Sequence, residues 1–105
     1  MFGLFNRSAA ISADQLKAER NNQTKIIDVR MPGEYHVGHI PGAKNVPLNR
    51  IEGYKGNKDE KVYVICQSGM RSKRAASILK KKGYDVVNIR GGMTQWNGPV
   101  RGGKQ

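Results

Sequence analysis

Val62-Tyr63-Val64-Ile65-Cys66-Gln67-Ser68-Gly69-Met70-Arg71-Ser72 is the stretch that decides the fold class of this chain. Residues 62–65 are β-branched or aromatic, the composition of a short buried strand. A helical pattern follows over residues 72–82, with Ala75, Ala76 and Leu79 on one face, Ile78 at its edge and Gly83 as the stop. Cys66, the only cysteine in the chain, therefore closes a strand and opens a small loop that feeds a helix N-terminus. In an open α/β sheet, that end of a strand is where ligands bind. The loop amides and the positive end of the helix dipole both favour a thiolate over a thiol. Arg71, five residues on, adds a permanent cation. The stretch reads as a nucleophile supplied with its own counter-charge.

Outward from this centre, strands and helices alternate. Ser12 can cap a helix running to about residue 21, Gln15 completes a capping box, and Ile11 can staple against Leu16. Residues 25–30 form a strand, and Pro32 suits the first turn of a short helix over 32–37. A turn-rich connector, Gly38 to Ala43, leads to a brief strand over 44–46 and a short helix over 47–51. Residues 85–89 are a further strand, 91–97 a short helix, and a glycine-containing tail from Gly98 is expected to fray. The alternation predicts an α/β fold with a central, mostly parallel sheet of about five short strands and helices on both faces. Residues 1–10 read as a lead-in, 11–98 as the domain and 99–105 as the tail.

With 105 residues the chain fits one domain. One cysteine excludes an internal disulfide, no apolar stretch is long enough to span a membrane, and the N-terminus is a poor signal peptide. The expected location is cytoplasmic, with no membrane partner. Lysine and arginine number 19 against 8 acids, a formal charge of +11. Such a balance raises the question of nucleic acid. The cations are spread, however, clustering only at Lys80-Lys81-Lys82, and they do not interleave with aromatics. No nucleic acid is expected; the surface suits anionic small substrates or acidic partners.

Four pieces of the chain resemble the rhodanese domain in order and spacing. They are Asp28-Val29-Arg30, Gly38-His39-Ile40-Pro41-Gly42-Ala43, the Cys66–Ser72 loop, and Gly91-Gly92-Met93-Thr94-Gln95-Trp96. The resemblance implies a stand-alone, single-domain thiosulfate sulfurtransferase with a rhodanese-like fold. The Cys66 thiolate would take sulfane sulfur from a small anionic donor such as thiosulfate, forming a persulfide. Cyanide, a small thiol or a protein thiol would then remove it. Cys66 and Arg71 are the expected catalytic residues, and Gln67, Ser68, Gly69, Met70 and Ser72 the loop that binds substrate. Gly69 permits the backbone turn that points successive amides inward. Arg71 would bind the donor's sulfonate, tie the loop through backbone carbonyls, or both.

Alternatives attach to particular residues. Asp28 sits at a strand end on the same rim as Cys66, where it would influence loop charge or pair with a basic neighbour. Arg30 would help bind an anionic donor or pair with Glu34. His36 and His39 invite a Cys–His pairing, but the resemblance makes His39 a structural turn residue. Trp96 reads as core or as an edge of the pocket. Scattered histidines and one cysteine offer no metal-ligand spacing, and no cofactor is implied. A lone buried cysteine can also be inert packing; here Gly69, Arg71 and the helix behind them argue for function. The fold also resembles that of dual-specificity cell-cycle phosphatases, whose loop has five residues between cysteine and arginine. Here there are four, which suits one extra sulfur better than a phosphate and disfavours a phosphatase or arsenate reductase. A persulfide carrier or regulatory module with weak small-molecule turnover is the other reading, and a monomer is expected.

Overall fold

The computed structural model describes residues 9–103. Its ten elements are β1 (Ala9–Ser12), α1 (Ala13–Glu19), β2 (Lys25–Asp28), α2 (Pro32–Val37), β3 (Lys44–Asn45), a 3-10 helix (Leu48–Gly53), β4 (Val62–Ile65), α3 (Met70–Lys81), β5 (Val86–Arg90) and α4 (Gly92–Gln95). The strands form one sheet in the order β1-β5-β4-β2-β3, and every pairing is parallel. Parallel strands need crossover helices, which is why the sheet is covered on both faces.

Side-chain alternation along the central strand divides the core in two. Val62, Val64 and Cys66 pack with Ile27, Val29, Ala75, Ala76 and Leu79 on the α3 face. Ile65 packs with Ile26, Leu16, Ile40 and Trp96 on the opposite face. The cysteine thus follows directly on β4, a strand buried on both sides, and continues its α3-facing row.

Two expectations are corrected. The last residues of the lead-in, Ala9 and Ala10, open β1, which pairs with Val87 to Arg90. Both alanines are exposed and of low strand propensity, so only the free edge of β5 makes them a strand. The remainder of the lead-in, 1–8, lies outside the described residues. The tail does not fray through residue 103. Arg101 exchanges backbone hydrogen bonds with His39 (2.8 and 2.9 Å), and the Gly103 N–H donates to His36 O at 2.8 Å. Residues 104–105 lie outside the description.

Candidate functional site

Cys66 is fully enclosed, with no exposed surface, yet its sulfur is surrounded by polar groups. Gly69 donates its N–H to Sγ at 3.0 Å, and the Ser72 Oγ lies 3.4 Å away. The loop turns back on the sulfur because Gly69 is left-handed, φ 103° and ψ −11°, and caps α3. Burial pushes the thiol pKa up, but hydrogen bonds from Ser72 hydroxyl and amide and from the Gly69 and Ser68 amides outweigh it. The thiol therefore sits below its ordinary value. Those donors are the start of α3, so the helix dipole acts in the same direction.

Three clamps fix the loop. Behind it, the Met93 and Thr94 N–H groups donate to the carbonyls of Cys66 and Gln67 at 2.8 and 2.9 Å, and the Thr94 hydroxyl donates to Gln67 O at 2.7 Å. This approach requires glycine at 92, where a Cβ would stand 2.2 Å from Cys66 O, at a φ of +54°. To one side, the buried Arg30 guanidinium holds both Asp28 oxygens, with its shortest contact 2.8 Å. It also donates to Gly38 O at 2.7 Å and to Gln67 Oε1 at 3.2 Å. One side chain thus ties three of the four sequence motifs together. The third clamp is a two-pronged pair, Arg71 to Glu34 at 2.6 and 2.8 Å. The Arg71 hydrogen bond lowers the Glu34 pKa from 4.5 to about 2.

The geometry matches known proteins. The family model "Rhodanese-like domain" fits residues 12–99. The chain belongs to the rhodanese family. Thiosulfate sulfurtransferase GlpE of Pseudoalteromonas translucida (strain TAC 125) is 38% identical over 74 residues, covering 68% of this chain and 70% of GlpE. YrkF of Bacillus subtilis (strain 168), named as a candidate sulfur carrier protein, is 37% identical over 92 residues, covering 85% of this chain. The rhodanese chain spans half the length of YrkF. The crystal structure of a rhodanese-like domain protein from Staphylococcus aureus superposes with a TM-score of 0.83 at 33% identity, covering 90% of this chain and 97% of that one.

Within the rhodanese domain the expected site residues separate into groups. Cys66, Gly69 and Ser72 meet at the sulfur, and Ser72 lies inside α3, which starts at Met70 rather than 72. Gln67, Ser68 and Met70 are exposed at the rim. Asp28 and Arg30 are buried partners of each other, and Arg30 does not pair with Glu34. Asp28 shares the sheet edge with Cys66 but lies on the other face, since it alternates with Ile27 and Val29 of the α3-side core. Arg71 bonds Glu34 in place of loop carbonyls. His39 is buried in its turn, with Nδ1 2.8 Å from Tyr35 O and its ring stacked on Tyr35 at 3.7 Å. A carbonyl can only accept, so Nδ1 carries the hydrogen. Trp96 is a core residue.

Sequence reasoning missed Glu34, Gly92 and Thr94 as parts of the site. Glu34 had one local signal: it is the third residue of α2 and its Oε1 accepts the Met31 N–H at 3.1 Å, as a capping glutamate does. The adjacent glycines 91 and 92 mark a close approach of some kind, without saying to what.

Proposed function

We propose that this protein is a sulfurtransferase that carries sulfane sulfur on Cys66. The observation that supports this most directly is the buried sulfur ringed by Gly69, Ser68 and Ser72 donors at a helix start. A persulfide is an anion, and the same donors would hold it. In the first half-reaction the thiolate attacks the outer sulfur of thiosulfate. The new Sγ–S bond forms as the donor S–S bond breaks, and its electron pair leaves on sulfite. In the second, an acceptor such as cyanide or a thiolate bonds to the outer sulfur, and the Sγ–S pair returns to Cys66. No metal, oxidant or cofactor enters the balance. A free, pKa-lowered thiol works best in a reducing compartment, and we place the protein in the cytoplasm.

Arg71 keeps its charge while bound to Glu34, so it neutralises rather than adds to the field at the loop mouth. Enclosure of Cys66 means that the loop must part for any donor. A single sulfur atom asks less of a four-residue loop than a tetrahedral phosphate does. The same enclosure favours a second reading, a carrier that loads and unloads on protein partners and turns over slowly on small molecules.

The test is intact mass after incubation with thiosulfate. The wild type should gain about 32 Da, one persulfide sulfur, and Cys66→Ser should gain nothing while remaining folded. Loading of the serine variant at the wild-type level would refute the assignment. Steady-state turnover with cyanide then separates enzyme from carrier.

A further inference from the structure

The exposed side of α3 carries Lys73, Arg74, Lys80 and Lys81 beside Met70 and Ser77. Residues 61–84, a run of 24, contain seven Lys or Arg and no acid. The helix buries Ser72, Ala75, Ala76 and Leu79, so positions 70, 73, 74, 77, 80 and 81 form one exposed strip at helical spacing. Met70 begins that strip beside the cysteine loop, 76% exposed, and Met31 is 52% exposed. The two methionines flank one ion pair: Met70 precedes Arg71, and the Met31 N–H bonds the Glu34 oxygen that Arg71 holds. The ion pairs among the described residues engage Lys25, Arg30 and Arg71, leaving Lys73, Arg74 and Lys81 without an acid partner.

Resting on the sulfurtransferase reading, we propose that this strip docks an acidic polypeptide segment whose thiol accepts the sulfur from Cys66. The charge is complementary and would steer such a partner to the loop. The methionines offer a soft apolar seat for a side chain next to the acceptor cysteine. Twelve helical residues extend for about 18 Å, the reach of roughly five or six extended residues. Nucleic acid is the poorer fit. Binding a single strand uses exposed aromatics on which bases stack, and among the described residues Tyr35, Tyr54, Tyr84 and Trp96 are buried and Tyr63 is half-buried.

The probe is a labelled synthetic peptide, Asp-Glu-Asp-Glu-Glu-Leu-Cys-Gly, compared with its amide counterpart (Asn and Gln for the acids) and with a single-stranded RNA 12-mer. Binding is read by anisotropy at low salt with serine replacing the peptide cysteine, so that it does not depend on sulfur chemistry. The acidic peptide should bind the wild type roughly tenfold or more tighter than the amide peptide. Lys73→Glu with Arg74→Glu should erase that preference, whereas Lys17→Glu with Lys44→Glu, the same change in net charge, should retain it. With the cysteine peptide, sulfur should leave the loaded protein roughly tenfold faster for the acidic than for the amide version, and that advantage should require Lys73 and Arg74. If charge reversal unfolds the helix, as circular dichroism would reveal, Lys73→Gln with Arg74→Gln carries the same test. Equal binding of both peptides, equal loss in the two charge-matched variants, or tighter binding of the RNA would overturn the proposal. Failure of wild-type loading with thiosulfate would instead sink the sulfurtransferase reading, while the anisotropy arm still reports on docking.

Discussion

Ser72 has one hydroxyl hydrogen and two groups that can receive it. While Cys66 is a thiol, its S–H can point to Ser72 Oγ, 3.4 Å away, and the hydroxyl donates to Gly69 O at 3.2 Å. Once the sulfur is ionised it can only accept, so the hydroxyl must turn towards it. The serine thus stabilises the charged form through a buried contact, where one hydrogen bond contributes about 1 kcal/mol. Ser72→Ala should slow alkylation of Cys66 by iodoacetamide at pH 7 roughly fivefold, by the same figure, and displace its pH profile upward. An unchanged profile would mean that the amides alone hold the thiolate. Gly69 and Cys66 were legible in the sequence because a glycine after a strand-end cysteine has few other uses. The direction of Arg71 was not, since a flexible cation meets its partner, Glu34, only after two helices are packed.

Of the elements, the short α4 does more for the loop than its four residues imply. Its first amides hold the Cys66 and Gln67 carbonyls, so the strand-end peptide is fixed before the loop turns. Gly92→Ala would place a methyl 2.2 Å from Cys66 O at a positive φ. We expect a loss of about 2–4 kcal/mol of stability from overlap and backbone strain, measured by urea unfolding. Sulfur loading should fall as well, although the nucleophile is intact. Wild-type stability in that variant would show that the contact can relax away. Helix α1 followed its capping signal, with Ser12 Oγ accepting the Gln15 N–H at 3.1 Å. Strand β1 had no such signal: it opens on two alanines that acquire extended structure from a neighbour.

For the molecule as a whole, two groups make stability depend on pH in the same sense. Glu34 is depressed from 4.5 to about 2, so its contribution is complete above 4.5 and disappears as pH falls towards 2. The pair is about a third exposed, so after solvent screening it contributes roughly 1 kcal/mol. Cys66 is depressed below 9.0, so its share is complete above that value and is lost as pH falls through the lowered folded value. Thermal melts of the wild type should therefore weaken between pH 4.5 and 2, and Glu34→Gln should remove part of that slope while costing little at acidic pH. Parallel slopes for the two proteins would show that Arg71 and Glu34 are not coupled in solution.

Local chemistry was enough to determine the strand–loop–helix that carries Cys66, the parallel α/β class and the Ser12 cap of α1. Period, capping and turn residues act over a few neighbours, and those are adjacent in the chain. Only the folded molecule decided that Arg30 joins Asp28, Gly38 and Gln67, that Arg71 meets Glu34, and that Gly92 lies against Cys66 O. Most of these contacts bridge residues 26 to 37 positions apart. They exist because a parallel sheet brings successive strand ends to one edge, an outcome of the whole topology that no single segment encodes.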